Sequence, residues 1–196
     1  MNIKYLIGIL KQLIVQPTVF WEDQKDVSYN KALIFNKFAY KLIVLAALSA
    51  FIGNLLAIST TEYSFLYIIV LVLALLFTLI ICLFANILLI KELVIKYNGD
   101  SNIDNIRRVV VYSMSVYWAA LIVGGFLANH GPMRNFIEFL GLYGAYVYFR
   151  GIFLLNIKKD DRIVFTFLSL VIVVLVYLFT YWAVGFIPTV IKTLSI

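Results

Sequence analysis

The chain reads as an all-α, polytopic membrane protein: five transmembrane helices preceded by an amphipathic interfacial helix. Three observations predict this. Of its 196 residues 64% are hydrophobic and 13% charged, and the mean hydropathy of +1.01 lies far outside soluble norms. The apolar residues gather into runs of the length a helix needs to cross the roughly 30 Å hydrocarbon layer, about 20 residues each. Charges collect in the short breaks between those runs, which leaves no room for a soluble catalytic domain. Two regions follow, residues 1–40 as an interfacial segment and residues 41–196 as the five-helix bundle.

The first sixteen residues, MNIKYLIGILKQLIVQ, place Lys4, Gly8, Lys11, Gln12 and Gln16 near one helical face and Ile3, Leu6, Ile7, Leu10, Leu13 and Ile14 on the other. That is the pattern of a helix lying in the interface, or of one packed under the bundle. Lys11 and Gln12 interrupt the apolar run too early for a secretory leader, and no small-residue cleavage site follows. Pro17 stops this helix or starts the next. Phe20 and Trp21 read as anchors at headgroup level, before the polar link EDQKDVSYNK.

The first span is expected near 41–59, with Ser28 as an N-cap for a helix that begins earlier. Ala46, Ala50, Gly53 and Ala57 form a small-residue stripe that lets a second backbone approach, with Asn54 beside it. The second span covers about 64–91, longer than the layer requires, so it tilts or projects. Ala74, Thr78, Cys82 and Ala85 repeat the stripe, with Asn86 adjacent. The loop that follows has a turn signal at Asn98 and Gly99 and helix starts at Ser101 or Asp104.

The third span is expected over about 109–128, where Ser113, Tyr117, Ala120, Gly124 and Ala128 share a face. Gly131 and Pro132 break the chain before the fourth, about 133–156. There Gly141, Gly144 and Gly151 fall on one side, while Tyr143, Tyr146 and Arg150 fall on another. One side invites a close neighbour; the other is aromatic and polar-tipped. The fifth span, about 163–187, carries Thr166, Ser169, Tyr177 and Thr180 along one line and ends at Pro188.

Sidedness follows from the basic residues. Lys4, Lys11, Lys25, Lys31, Lys37 and Lys41 precede span one; Lys91, Lys96, Arg107 and Arg108 follow span two; Lys158, Lys159 and Arg162 follow span four. Only Arg134 and Lys192 fall on the other side. The positive-inside rule then puts the N-terminus in the cytoplasm and the C-terminus outside the inner membrane. The net charge of +6 flanks hydrophobic runs, which fits anionic headgroups on the cytoplasmic side and not nucleic acid.

Reactive chemistry is thin. Cys82 is the one cysteine and His130 the one histidine, so no thiolate or imidazole set can hold zinc. Arg134 and Glu138, at i and i+4, can pair at the end of span four. No carboxylate or histidine falls at mid-membrane, as proton-coupled transport requires. Nor is there a paired aspartate, an HExxH motif or a glycine-rich phosphate loop, so no cofactor and no enzymatic activity is expected. Arg150 is the sharper case. It lies in the inner half of span four, where it either snorkels to the surface or meets a lipid phosphate or partner, with Tyr146 one turn earlier as a cation–π or hydrogen-bond neighbour.

The segment PTVFW, five spans, YSMS at the start of span three, LYGAYVYFRGI in span four and NIKKDD before span five resemble the Yip (Ypt-interacting protein) membrane family, particularly its bacterial branch. The likeness runs from about Gln12 to Gly185. That family commonly has proline after the tyrosine and small hydroxyl residue of its third span, where this chain has Val116 after Tyr112, Ser113 and Ser115. The resemblance implies a five-span bundle with a cytoplasmic N-terminal region. Eukaryotic members are associated with Rab-type GTPases and vesicle traffic, which the short N-terminal region here does not carry over.

The function expected is therefore that of a non-enzymatic scaffold. It would organise membrane or bind lipid, a membrane-protein partner or a second copy of itself. Its candidate contact residues are Asn54, Asn86, Tyr143, Tyr146, Arg150, Lys158 and Lys159, and its packing residues are Gly53, Gly124, Gly141, Gly144 and Gly151. The alternative is a small transporter or lipid-translocating protein, whose groove would be lined by Asn54, Asn86, Ser115, Tyr143, Tyr146, Arg150 and Thr180.

Overall fold

The computed structural model describes residues 3–25, 34–58, 64–127 and 131–194, and among them regular structure is helical throughout. Helix α1 spans Ile3–Val15 and α2 spans Pro17–Asp23, with Pro17 at the first helical position, where its missing N–H costs nothing. A wide π-type turn, Phe35–Ala39, leads into α3, Tyr40–Ala57. Then come α4, Phe65–Lys96, and α5, Ile103–Phe126. Two shorter helices follow, α6 at Gly131–Leu140 and α7 at Tyr143–Gly151, and last α8 at Arg162–Leu194. Five helical stretches among these residues are long and apolar enough to cross a membrane: Phe35–Ala57, Phe65–Lys96, Ile103–Phe126, Pro132–Leu155 and Lys159–Val184.

Several boundaries differ from those the sequence suggests. The first helical stretch starts at Phe35, ahead of residue 41, because Phe35, Phe38 and Ala39 are buried in the core while Lys37 points out. Ser28, the expected N-cap, lies outside the described residues. Helix α4 continues to Lys96 and is about 48 Å long at 1.5 Å per residue. The start of α5 is capped by Asn102, whose side chain accepts from the Asp104 N–H. Helix α8 runs through Pro188 to Leu194; a proline removes one backbone donor, which a long spanning helix tolerates.

The fourth span is broken. At Gly141 the hydrogen bonds tighten, Gly141 donating to Glu138 and Gly144 to Gly141, so α6 ends and α7 begins across one tight turn. Below α7 a 3-10 turn, Ile152–Leu155, ends in Asn156 with φ 50°, which reverses the chain.

Helix α5 is the centre of the bundle and the most buried of the five, packed against α3 most extensively and also against α6, α7 and α4. Helices α4 and α8 form a second close pair. Between α7 and α8 contact is sparse. The core has a continuous aromatic knot where Phe20, Trp21 and Tyr112 meet edge to face and Phe38 packs tilted on Tyr112.

The three charged segments share one end of the molecule. The Asp100 N–H donates to Leu155 O at 2.7 Å, joining the α4–α5 loop to the turn after α7. Arg108, at the same end, is buried and donates to Gln24 O at 2.6 Å and to Asn105 at 2.6 Å, which ties the end of α2 to α5.

Candidate functional site

Tyr143, Tyr146 and Arg150 recur at helical spacing on the outer face of α7, and all three are exposed. The Arg150 Nε donates to the Tyr146 hydroxyl at 3.0 Å, and its guanidinium carbon stands 5.1 Å from that ring's centre. Tyr143 packs on Tyr146 and donates its hydroxyl to Ile14 O at 3.0 Å, linking α7 to the end of α1. Arg150 has no carboxylate partner among the described residues. It is therefore an uncompensated cation held steady by an aromatic ring, with the fork geometry that suits phosphate. Lys158 and Lys159, past the 3-10 turn, are exposed at the same end. At the other end of the fourth span Arg134 and Glu138 do pair, at 2.7 Å.

The packing glycines divide by what a side chain would meet. A Cβ on Gly144 would lie 2.7 Å from Ser113 O, and one on Gly141 would lie 2.8 Å from the Tyr117 ring. At Gly151 it would meet the Trp21 indole at 2.7 Å. Gly124 is looser, with Glu138 Cγ at 3.3 Å. Its neighbour Gly125, which the spacing did not single out, is the tight one, for a Cβ there would lie 2.7 Å from Ala50 N. Gly53 is buried on the α3 stripe with Ala46 and Ala57.

The groove residues of the transport alternative do not gather at one place: Tyr143, Tyr146 and Arg150 stand together on α7, and the others bond elsewhere. Asn54 donates to Ala50 O, Ser115 to Tyr112 O and Thr180 to Val176 O, each on its own helix. Of that set only Asn86 lines the internal hollow between α4, α5, α7 and α8. Among the described residues no three His, Cys, Asp or Glu side chains are grouped as metal ligands; His130 lies outside those residues.

Five residues gained roles that the sequence did not signal. Trp21 and Phe20, read as headgroup anchors, are buried, and the Trp21 indole N–H donates to Val147 O at 2.9 Å. Burial of that indole requires the bare flank of Gly151, and the pairing of the two is invisible in a sequence that separates them by more than a hundred residues. Arg108 is an interior clamp where a sidedness marker was expected. Tyr148 and Ser113 face the same hollow as Asn86. Comparison with protein-family models, with curated proteins and with solved structures gives no match to this chain.

Proposed function

We propose that this chain is a non-enzymatic, multi-pass inner-membrane protein of the Yip type, acting as a scaffold that organises membrane by gripping anionic lipid at its cytoplasmic face. The observation that carries the reading is the Arg150–Tyr146–Tyr143 face and the helix it holds. Helix α1 buries Leu6 and Leu13 against the bundle, exposes Ile7 and Ile14, and carries exposed Lys4 and Lys11. A helix of that build is amphipathic and suits the headgroup boundary, apolar edge toward the acyl chains and lysines toward phosphate. Arg150, two turns along α7 from the Tyr143 that bonds α1, supplies a cation held by Tyr146.

The test is reconstitution of the full chain in nanodiscs of mixed phosphatidylglycerol and phosphatidylcholine, followed by native mass spectrometry of the lipids that stay bound. The parent is expected to retain phosphatidylglycerol above its bulk share. Arg150→Gln is expected to lower that enrichment about threefold to tenfold, the scale of one exposed charge-assisted contact. Equal retention of the two lipids, or an unchanged variant, refutes the reading.

A further inference from the structure

Hydroxyl and amide side chains inside a bilayer have a default partner, the carbonyl one turn back on their own helix. Ser49, Asn54, Thr78, Ser115, Thr166, Ser169 and Thr180 all use it. Asn86 and Ser113 do not. Asn86 is fully buried, and neither its carboxamide oxygen nor its nitrogen has a partner; the Ser113 hydroxyl, 5% exposed, has none either. Tyr148, also buried, sets its hydroxyl beside that of Ser169, which donates to Phe165 O and can still accept from it. All three side chains line one hollow of about 290 Å³. An unmet amide in an apolar interior costs about 1 to 3 kcal/mol. Two unmet side chains, Asn86 and Ser113, with the Tyr148 phenol beside them, give this space a polar pole.

The rest of the hollow is mostly apolar, with Cys82, Tyr117 and Tyr177 as its other side chains that carry a polar atom. Leu79, Ile90, Val110, Leu170 and Val173 line it, and no Asp, Glu, Lys, Arg or His does. Its lining is exposed at Leu142 (60%) and Val174 (52%), where α7 and α8 barely touch, so it opens sideways into the acyl layer. Asn86 lies about 7.5 Å along α4 from Lys91 at 1.5 Å per residue, and no cation lines the hollow to meet a phosphate head. An occupant arriving through that mouth comes from the lipid phase. Its polar part must be compact and neutral, and must both donate and accept.

We propose that the hollow between α4, α5, α7 and α8 binds a neutral amphiphile, a single apolar chain with a small hydroxyl-, ester- or amide-bearing head, the head resting on Asn86, Ser113 and Tyr148. The volume holds about ten water-sized groups at roughly 30 Å³ each, which is one short chain or the inner part of a longer one. This site is separate from the Arg150 face, so either can fail without the other.

The experiment compares three probes on the purified full chain in detergent: 1-monodecanoylglycerol, decyl phosphate and decane. Thermal midpoint and retained probe by native mass spectrometry are read for the parent, Asn86→Leu and Ala145→Phe, the last placed to fill the lining of the mouth. The parent is expected to retain the glycerol ester and gain thermal stability, with decyl phosphate and decane about fivefold poorer, the scale of one intramembrane hydrogen bond. Asn86→Leu is expected to melt at or above the parent without probe, because an unmet amide has gone, yet to lose that preference. Ala145→Phe is expected to lose retention with its polar pole intact. The proposal is overturned if decane serves the parent as well as the ester, if the parent retains nothing, or if Asn86→Leu melts lower and still prefers the ester.

Discussion

Gly144 and Gly8 sit in helices of the same chain and make opposite demands on a side chain. Gly144 presses on the Ser113 carbonyl, whereas a Cβ on Gly8 would meet nothing within 4 Å. Gly144→Leu is therefore expected to lose about 1 to 3 kcal/mol or more through overpacking against backbone that cannot yield. Gly8→Ala is expected to be neutral or to gain about 0.5 to 1 kcal/mol from helix propensity alone. Melting of both variants in the same detergent checks the pair; equal midpoints would mean that close backbone approach does not hold this bundle. At this scale the sequence was partly legible. Glycine at helical spacing in span four marked Gly141, Gly144 and Gly151, since spacing on one helix is a property of that helix alone. Gly125 was missed in favour of Gly124, because which of two adjacent glycines meets the neighbour depends on the rotation of α5 against α3.

Between elements, the docking of α2 rests on two hydrogen bonds from different sources. The Trp21 indole reaches Val147 O on α7, and Arg108 on α5 reaches Gln24 O just past the end of α2. Trp21→Phe keeps an aromatic ring over Gly151 and removes one donor, so it is expected to cost about 1 kcal/mol. Trp21→Ala also empties a buried site and is expected to cost about 3 to 5 kcal/mol. Hydrogen exchange over Pro17–Asp23 reads the effect locally, with amides in the α4–α8 pair unchanged; uniform loosening would mean that α2 is not a separately docked piece. The same elements show where sequence reading stops. Apolar run length gave five spans because crossing a bilayer is a demand on composition. The break at Gly141 has no proline to announce it, and the spacing of small residues carries across it without interruption. At the break α5 sets Tyr117 so close to Gly141 that a Cβ there would lie 2.8 Å from its ring, a tertiary contact that no local pattern announces. Pro188 errs the other way, a breaker by local rule inside a helix that continues.

At the scale of the whole molecule, the ends of the bundle differ in charge because the loops that share an end share composition. The α4–α5 loop is bonded to the turn after α7, and Arg108 in the second turn of α5 to the end of α2, with Lys96, Arg107, Lys158, Lys159 and Lys25 close by in sequence. At the opposite end the described charge is one internal ion pair, Arg134 with Glu138. On the proposed reading, the positive-inside rule would orient such a bundle with its uncompensated cations on the anionic, untranslocated side. Reporter fusions after Ser59, Gly99, His130, Asp160 and Ile196 are therefore expected to read outside, inside, outside, inside and outside. The broken fourth span makes the pair at His130 and Asp160 the decisive one. If α6 and α7 formed a re-entrant hairpin, both would report the same side. If they cross as two stacked segments, the arrangement that charges at both ends of the fourth span, Arg134 and Arg150, would favour, they report opposite sides and the glycine turn at Gly141 lies within the hydrocarbon.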